Sequence, residues 1–179
     1  FGLPLEMKLK EQHQKKPISP YGSTKLKAEE VLENFSINNK IKCISLRYFN
    51  AAGADPSGTI GECHNPETHL IPRACNSIYS NGDVLEIFGN NYNTPDGTCI
   101  RDYVHVNDIV SAHFLAFTNL ENNKFYNDFN LGNSIGFSVL DIIKTIEKSS
   151  GKKVNYEFVK KRNNEPSHLV ADNAKAIKE

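Results

Sequence analysis

The segment SPYGSTKLKAEE (residues 19–30) places a tyrosine and a lysine where they could act together on a proton. Ser19 and Pro20 are typical of a helix start, with serine as the N-cap and proline in the first turn. On that helix Tyr21 and Lys25 are four residues apart and therefore lie on one face. An ammonium beside a phenol favours the phenolate, so this pair is a candidate general base.

The spacing of this pair is not specific by itself. The same spacing recurs at Tyr156 and Lys160, but there the segment VNYEFV (154–159) predicts a strand, which would hold the two residues about 13 Å apart. For Tyr21 and Lys25 the structural alternative is an amphipathic helix with the tyrosine packed and the lysine in solvent. The surrounding sequence has to decide between these interpretations.

Two aromatic residues and an amide stand at the end of a predicted strand. IKCISLRYF (41–49) is apolar with little alternation, which is typical of a strand covered on both faces. Tyr48, Phe49 and Asn50 close this strand, and ligands of open α/β sheets bind beyond the carboxyl ends of strands. The alternatives are a buried strand end for the aromatic pair and an Asx-turn for Asn50.

An arginine and a tyrosine alternate along CIRDYVHV (99–106), so Arg101 and Tyr103 are predicted to point to one face of a strand. Guanidinium groups match phosphate oxygens, which makes Arg101 and Tyr103, together with Arg162, candidates for binding a diphosphate. The alternative is a surface ion pair between Arg101 and Asp102, with Arg162 as an ordinary loop arginine.

The elements that must position these residues alternate between helices and strands. The alternation predicts an α/β protein with a largely parallel sheet. The predicted elements are a helix from Pro20 that ends at Asn38–Asn39, a strand at 41–49, a long irregular segment at 50–69, a helix at 70–79, strands at 84–89 and 99–106, a helix capped by Asp108, a strand at 125–132, a helix that starts at Ser138, a strand at 154–159 and a helix that begins near Asp172.

Composition excludes several functional classes. The 21 basic and 21 acidic residues cancel, which argues against a general nucleic-acid binder. No apolar run approaches the length of a membrane span. The four cysteines show no CxxC and no Cys/His ligand spacing, which favours a reducing compartment, the cytoplasm. We predict no metal site, since the adjacent Cys63 and His64 rarely chelate one ion on their own.

Four motifs, in order along the chain, resemble those of the UDP-glucose 4-epimerases, which are extended members of the short-chain dehydrogenase/reductase superfamily. The motifs are PYGSTKLKAEE, LRYFNAAGADPSGTIGE, IFGNNYNTPDGTCIRDYVHVNDIVSAH and NLGNSIGFSVLDII. The resemblance implies part of a doubly wound, Rossmann-type parallel sheet plus a smaller mixed α/β substrate-binding domain. Residues 1–53 would be the C-terminal part of the NAD-binding domain. Residues 54–179 would mostly bind the UDP-sugar, interleaved with returning Rossmann elements near 99–150.

The resemblance also accounts for a missing motif. In the family the glycine-rich NAD loop lies upstream of a Tyr/Phe-Gly pair, which Phe1-Gly2 resembles. The segment ADNAKAIKE (171–179) resembles the part of the family sequence that precedes its last helices. The chain would then be an internal piece of a longer, homodimeric enzyme that lacks the N-terminal NAD loop. Alone it would be inactive.

The implied reaction is an epimerisation without net oxidation. Tyr21 would take the proton of the sugar 4-hydroxyl while hydride passes from C4 to NAD+, and Lys25 would stabilise the phenolate and contact the nicotinamide ribose. The 4-keto sugar would turn over and take the hydride back on its other face, so NAD must stay bound.

The same resemblance assigns binding roles to residues along the rest of the chain. Phe49 would border the nicotinamide, while the substrate would be held by residues at strand ends and in loops. These residues are Tyr48, Asn50, His69, Leu70, Glu86, Phe88, Arg101, Tyr103, Arg162 and Glu165.

Three positions depart from the better-known family pattern. Thr68-His69-Leu70 replaces an Asn-Asn-Leu triplet, although His69 could still donate to a phosphate. Glu165 replaces the acid that is expected to hold the uridine ribose and is one methylene longer than aspartate. Leu169 stands near a position where a tyrosine narrows the sugar pocket in some members. The range of accepted sugars therefore stays open.

Two other classes of function fit the same residues. One keeps the fold and changes the reaction to that of a nucleotide-sugar dehydratase, a decarboxylase or a UDP-pentose 4-epimerase. The other is an inactive UDP-sugar-binding fragment.

Overall fold

The computed structural model describes residues 2–79 and 83–179. Within those ranges helices and strands alternate as predicted. The α-helices are α1 (Pro20–Asn39), α2 (Leu70–Tyr79), α3 (Val106–Thr118), α4 (Val139–Ser150) and α5 (Ala174–Lys178). The strands are β1 (Cys43–Tyr48), β2 (Asn50–Ala52), β3 (Leu85–Phe88), β4 (Ile100–His105), β5 (Tyr126–Leu131), β6 (Gly136–Ser138), β7 (Tyr156–Val159) and β8 (His168–Leu169).

Most strand pairs are parallel, which confirms the predicted α/β class. β1 pairs with β5, β2 with β4, and β3 with β7, all in parallel. β4 is the most connected strand, because β6 joins it antiparallel and β8 joins it in parallel. β4 also carries Arg101 and Tyr103, two of the predicted site residues.

Local capping explains where two of the helices begin. The Ser19 hydroxyl accepts the Gly22 N–H at 3.1 Å and starts α1, as predicted. Ser138 and Asp141 form a reciprocal capping box at the start of α4, the predicted third amphipathic helix. α1 ends at Asn39, where Lys40 adopts a left-handed conformation with a φ of 55°.

Two predictions about local structure were wrong. Asp108 does not cap α3: the helix begins at Val106, and the N-cap is His105, whose Nδ1 accepts the Asn107 N–H at 3.1 Å. The predicted irregular segment at 50–69 opens with β2, while β6 and β8 were missed entirely. Strands of two or three residues are too short for a periodic pattern, so pairing with β4 alone defines them.

The hydrophobic core lies between α2 and α4 and the β3–β7 pair. Its buried members are Ala74, Leu85, Ile87, Ile143 and Val154. α4 contributes its apolar stripe as predicted, whereas α1 and α3 expose several large apolar side chains. The exposed side chains, apart from Tyr21, are Val31, Leu32, Phe35 and Ile37 on α1 and Val110, Phe114, Leu115 and Phe117 on α3.

An ion cluster fastens α1 to the β1–β5 pair. The Arg47 guanidinium donates to Glu29 at 2.6 and 2.8 Å and also contacts Asp128. Burial alone would raise the pKa values of both carboxyls, but the hydrogen bonds and charge of Arg47, with help from Lys15 and Lys175, lower each pKa below its ordinary value. Because Glu29 lies on the same helix as Tyr21, this cluster holds the candidate base to the sheet.

We expect Arg47→Met to cost about 3 kcal/mol of unfolding free energy, because it removes the guanidinium that two half-buried carboxylates share and leaves them only the lysines Lys15 and Lys175. Carboxyls with lowered folded pKa values add stability above their unfolded pKa of about 4 and lose it as the pH falls through the folded values. The variant should therefore lose less stability than the wild type between neutral pH and about pH 3.

Urea unfolding at several pH values would measure this effect. Lys27→Met is the matched control, since its exposed pair with Glu30 should contribute less than about 1 kcal/mol. An Arg47 variant with the acid sensitivity of the wild type would show that the cluster contributes little.

Among the helices of the described residues, we find none that combines the length and the apolar character required to cross a membrane.

Candidate active site

Two predicted site residues face each other across β2 and β4. Asn50 is the register partner of Tyr103, and partners in a sheet project to the same face. Arg101 lies two residues before Tyr103 and shares that face. The short strand β2, which sequence analysis missed, thus brings Asn50 beside two residues that are 51 and 53 positions further along the chain.

A glycine permits the turn that follows β2. Gly53 has a φ of +87°, and a Cβ built on it would lie 2.2 Å from Nε2 of His105. Any other residue here would be strained and would also collide with the N-cap of α3. The tight approach keeps β2 in register with β4.

Asp102 points to the opposite face and is fully buried. Its carboxylate accepts the N–H groups of Asn133, Ser134 and Ala171 at 2.8 to 3.1 Å. The sequence alternative, an ion pair between Arg101 and Asp102, does not form. Asp102 instead ties β4 to two neighbouring segments and so fixes the strand that carries Arg101.

The partner of Arg101 is Glu165. The two side chains meet at 3.1 Å, and the Tyr92 hydroxyl donates to the other oxygen of Glu165, also at 3.1 Å. Arg101 donates a second hydrogen bond to the carbonyl of Ile100 at 2.7 Å. A guanidinium has five N–H donors, so Arg101 keeps donors for an anionic ligand.

Two cation–ring contacts extend this group. The Arg162 guanidinium lies 3.9 Å from the ring centroid of Phe88, and the Lys161 ammonium lies 3.9 Å from that of Tyr92. We name the resulting set the substrate cluster; it consists of Phe88, Tyr92, Arg101, Lys161, Arg162 and Glu165. Sequence analysis missed Tyr92 and Lys161, whose turn and loop positions gave no periodic signal.

Tyr92 of the substrate cluster and the nearby Tyr103 both stay protonated at physiological pH. Burial raises the pKa of Tyr103 to about 12. Burial, and then the Glu165 carboxylate, raise the pKa of Tyr92 to about 12 as well. Neither phenol is therefore a candidate base, and the Tyr92 hydroxyl donates to Glu165 instead.

The candidate base stands apart, on α1. Tyr21 is 72 % exposed, and the Lys25 ammonium lies 5.4 Å from its ring centroid. The helix brings the two side chains together as the spacing predicts. Tyr156, in the second pair with this spacing, lies in strand β7, as the sequence predicted for that segment.

Tyr21 and Lys25 are chemically suited to a nicotinamide ribose, which offers hydroxyl groups to a phenol and an ammonium. Phe49 is half-buried directly after β1, where its N–H donates to the carbonyl of Leu131 at 3.0 Å. Tyr48 is half exposed, with its ring centroid 6.4 Å from that of His113. This sequence contains no glycine-rich loop for a pyrophosphate.

The remaining predicted residues lie around α2 and β3. Leu70 packs against the hydrophobic core, and Glu86 lies 3.8 Å from Arg73. His69 is exposed and joins a group of side chains that contains Glu62, His64 and Glu67. Leu169 is the register partner of Arg101, so it does lie beside the substrate cluster.

Comparison with known proteins identifies close relatives. Residues 2–132 match the family described as the NAD dependent epimerase/dehydratase family. A UDP-glucose 4-epimerase of Streptococcus mutans is 43 % identical over 176 residues, which are 98 % of this chain and 53 % of that protein. The chain thus spans about half of the length of this relative.

Solved structures agree with the sequence relatives. The structure of UDP-glucose 4-epimerase from Brucella ovis in complex with NAD has a TM-score of 0.93 and 43 % identity, and covers 99 % of this chain and 55 % of its own. The enzyme from Bifidobacterium longum in complex with NAD+ and UDP has a TM-score of 0.93 and 32 % identity, with 99 % and 54 % covered.

Proposed function

Because the chain belongs to the NAD dependent epimerase/dehydratase family, we propose that it is part of an enzyme that interconverts UDP-glucose and UDP-galactose and that it contributes the UDP-sugar-binding residues and the base. The observation that carries this proposal is the substrate cluster. Residues assigned to the diphosphate and the uridine from separate parts of the sequence meet in two pairs, Arg101 with Glu165 and Arg162 with Phe88. The two pairs are linked through Lys161, the chain neighbour of Arg162, whose ammonium lies over the ring of Tyr92, which in turn donates to Glu165.

The substrate cluster provides the charges and surfaces that a UDP group needs. Arg101 and Arg162 would hold the diphosphate through their guanidinium donors. Phe88 offers a ring on which uracil can stack, next to the backbone of Glu86 in β3. Glu165 would accept from the ribose hydroxyls. Tyr103 would approach the diphosphate beside Arg101, and Asn50 would approach the substrate.

Proton transfer is the task of Tyr21. We propose that its phenolate takes the proton of the sugar 4-hydroxyl and that Lys25, on the same face of α1, stabilises that form. Bound NAD, held in part by Tyr21, Lys25 and Phe49, would supply a reversible hydride acceptor. The half-buried ion cluster around Arg47 keeps α1 at a defined place on the sheet while the proton moves.

The division at residue 53 and the dimeric state stay predictions. Exposed apolar side chains on α1 and α3 support burial of these helices against further protein, whether another part of the natural enzyme or a second copy. We expect the 179-residue chain alone to self-associate and to be inactive. Sedimentation and light scattering would test this, and a stable, compact monomer would contradict it.

The test of function is turnover of UDP-galactose to UDP-glucose by the natural full-length protein. We expect turnover without added NAD+, because the cofactor must remain bound between the two hydride transfers. If the protein binds NAD+ but does not turn over UDP-galactose, the proposed epimerase reaction is wrong. The dehydratase, decarboxylase and pentose 4-epimerase activities then become the alternatives to assay.

A further inference from the structure

A second group of chemically active side chains lies in the loop between β2 and α2, outside the substrate cluster. It consists of Glu62, His64, Glu67 and His69, each of which brings one possible ligand atom within 4.8 Å of the others. We name it the His/Glu cluster. Nothing in the proposed epimerase reaction requires two histidines and two glutamates to meet here.

The spacing of the ligand atoms is close to that of a metal site. Nδ1 of His69 lies 2.6 Å from a Glu62 oxygen and 3.0 Å from a Glu67 oxygen. Nδ1 of His64 lies 3.1 Å from the same Glu62 oxygen and 3.8 Å from the second Glu67 oxygen. Ligands about 2.05 Å from a tetrahedral zinc ion are roughly 3.3 Å apart, and the four distances bracket that value.

One carboxylate of the cluster is already held in place. The Glu67 oxygen Oε1 accepts the N–H groups of Thr68 and His69, both at 2.7 Å, while Oε2 lies on the side of His64. These two backbone hydrogen bonds fix the orientation of the Glu67 carboxylate towards the two histidines.

We propose that the His/Glu cluster is a binding site for a divalent transition-metal ion, with Zn²⁺ as the best match. Two imidazole nitrogens and two carboxylate oxygens are ligands that Zn²⁺ accepts, whereas Mg²⁺ and Ca²⁺ favour all-oxygen sites. The two carboxylates also balance the charge of a divalent ion.

The site does not compete with the phosphate contact proposed for His69. The cluster uses Nδ1 of that ring, and a metal on Nδ1 leaves the proton on Nε2, which can still donate. The metal site and the epimerase proposal are therefore independent. Each can fail without the other.

The proposal is tested by titrating the metal-free natural protein with Zn²⁺ and measuring the heat of binding by calorimetry. We expect a single equivalent to bind, and His64→Asn or Glu62→Gln to weaken binding by about a hundredfold or more, since even outer-shell changes cost up to that much. These side chains are partly or largely exposed, so the variants should fold. Titration with Co²⁺ gives a second readout, because a tetrahedral site produces intense visible absorption.

Two control variants separate this ligand set from its neighbours. Cys63 is an exposed thiol between two of the ligands, and His113 is an exposed histidine on α3. Cys63→Ser and His113→Asn should leave Zn²⁺ binding unchanged. Loss of binding in Cys63→Ser would overturn the ligand set, and weak binding that no variant affects would show that the cluster holds only imidazole–carboxylate hydrogen bonds.

Discussion

Replacing Tyr21 by phenylalanine is expected to reduce turnover of UDP-galactose by about a hundredfold to ten-thousandfold, the usual contribution of a positioned general base. The change removes one oxygen and leaves the ring against the Lys25 ammonium. Because Tyr21 is largely exposed and its hydroxyl supports no packing, stability should hardly change. The measurement is kcat for the natural full-length protein, with UDP affinity determined in parallel.

The chain itself provides the matched control for this experiment. Tyr156 has a lysine four residues on but lies in strand β7, so Tyr156→Phe should leave turnover near that of the wild type. If the Tyr21→Phe variant is as active as the wild type, Tyr21 is not the base. A Tyr21 variant that lost UDP affinity and kept kcat would instead make Tyr21 a binding residue.

Arg101→Met is expected to weaken UDP binding by about a hundredfold, because truncating one member of a hydrogen-bonded charge pair costs about 2–5 kcal/mol. The guanidinium is mostly buried beside Glu165, and its removal also leaves that carboxylate to repel a diphosphate. Arg101→Lys keeps the charge without the planar fork and should bind UDP with intermediate affinity. Calorimetry with UDP measures all three proteins.

A double variant separates the two causes of the loss. The loss in Arg101→Met/Glu165→Gln relative to Glu165→Gln alone measures the missing phosphate contact, because both proteins lack the Glu165 carboxylate. Any larger loss in Arg101→Met relative to the wild type is repulsion by the unpaired carboxylate. Lys148→Met, on the exposed end of α4, controls for a general change in charge. If Arg101→Met binds UDP with wild-type affinity, Arg101 does not bind the diphosphate.

Local patterns in the sequence were sufficient to predict the starts of α1 and α4 and the meeting of Tyr21 with Lys25. Ser19 and Ser138 begin α1 and α4 because their hydroxyls satisfy N–H groups only three residues away. Tyr21 and Lys25 meet because helix geometry brings residues four apart together. Interactions of such short range leave a readable trace in the order of residues.

The composition of the site was decided by tertiary structure. Arg101 pairs with Glu165, 64 residues away, rather than with its neighbour Asp102, because adjacent residues of a strand point to opposite faces. Strand β2, which positions Asn50, exists only through its pairing with β4. No periodicity records these contacts, since they depend on how distant segments meet.

Tertiary structure also decided the His/Glu cluster, although all four of its residues lie in one loop. Its four residues span only eight positions, yet sequence analysis considered Cys63 and His64 and predicted no metal site. A helix or strand would have fixed which side chains share a face, but an irregular loop has no period. Its backbone path, which turns Glu62 and Glu67 towards both histidines, is what brings the four ligand atoms together.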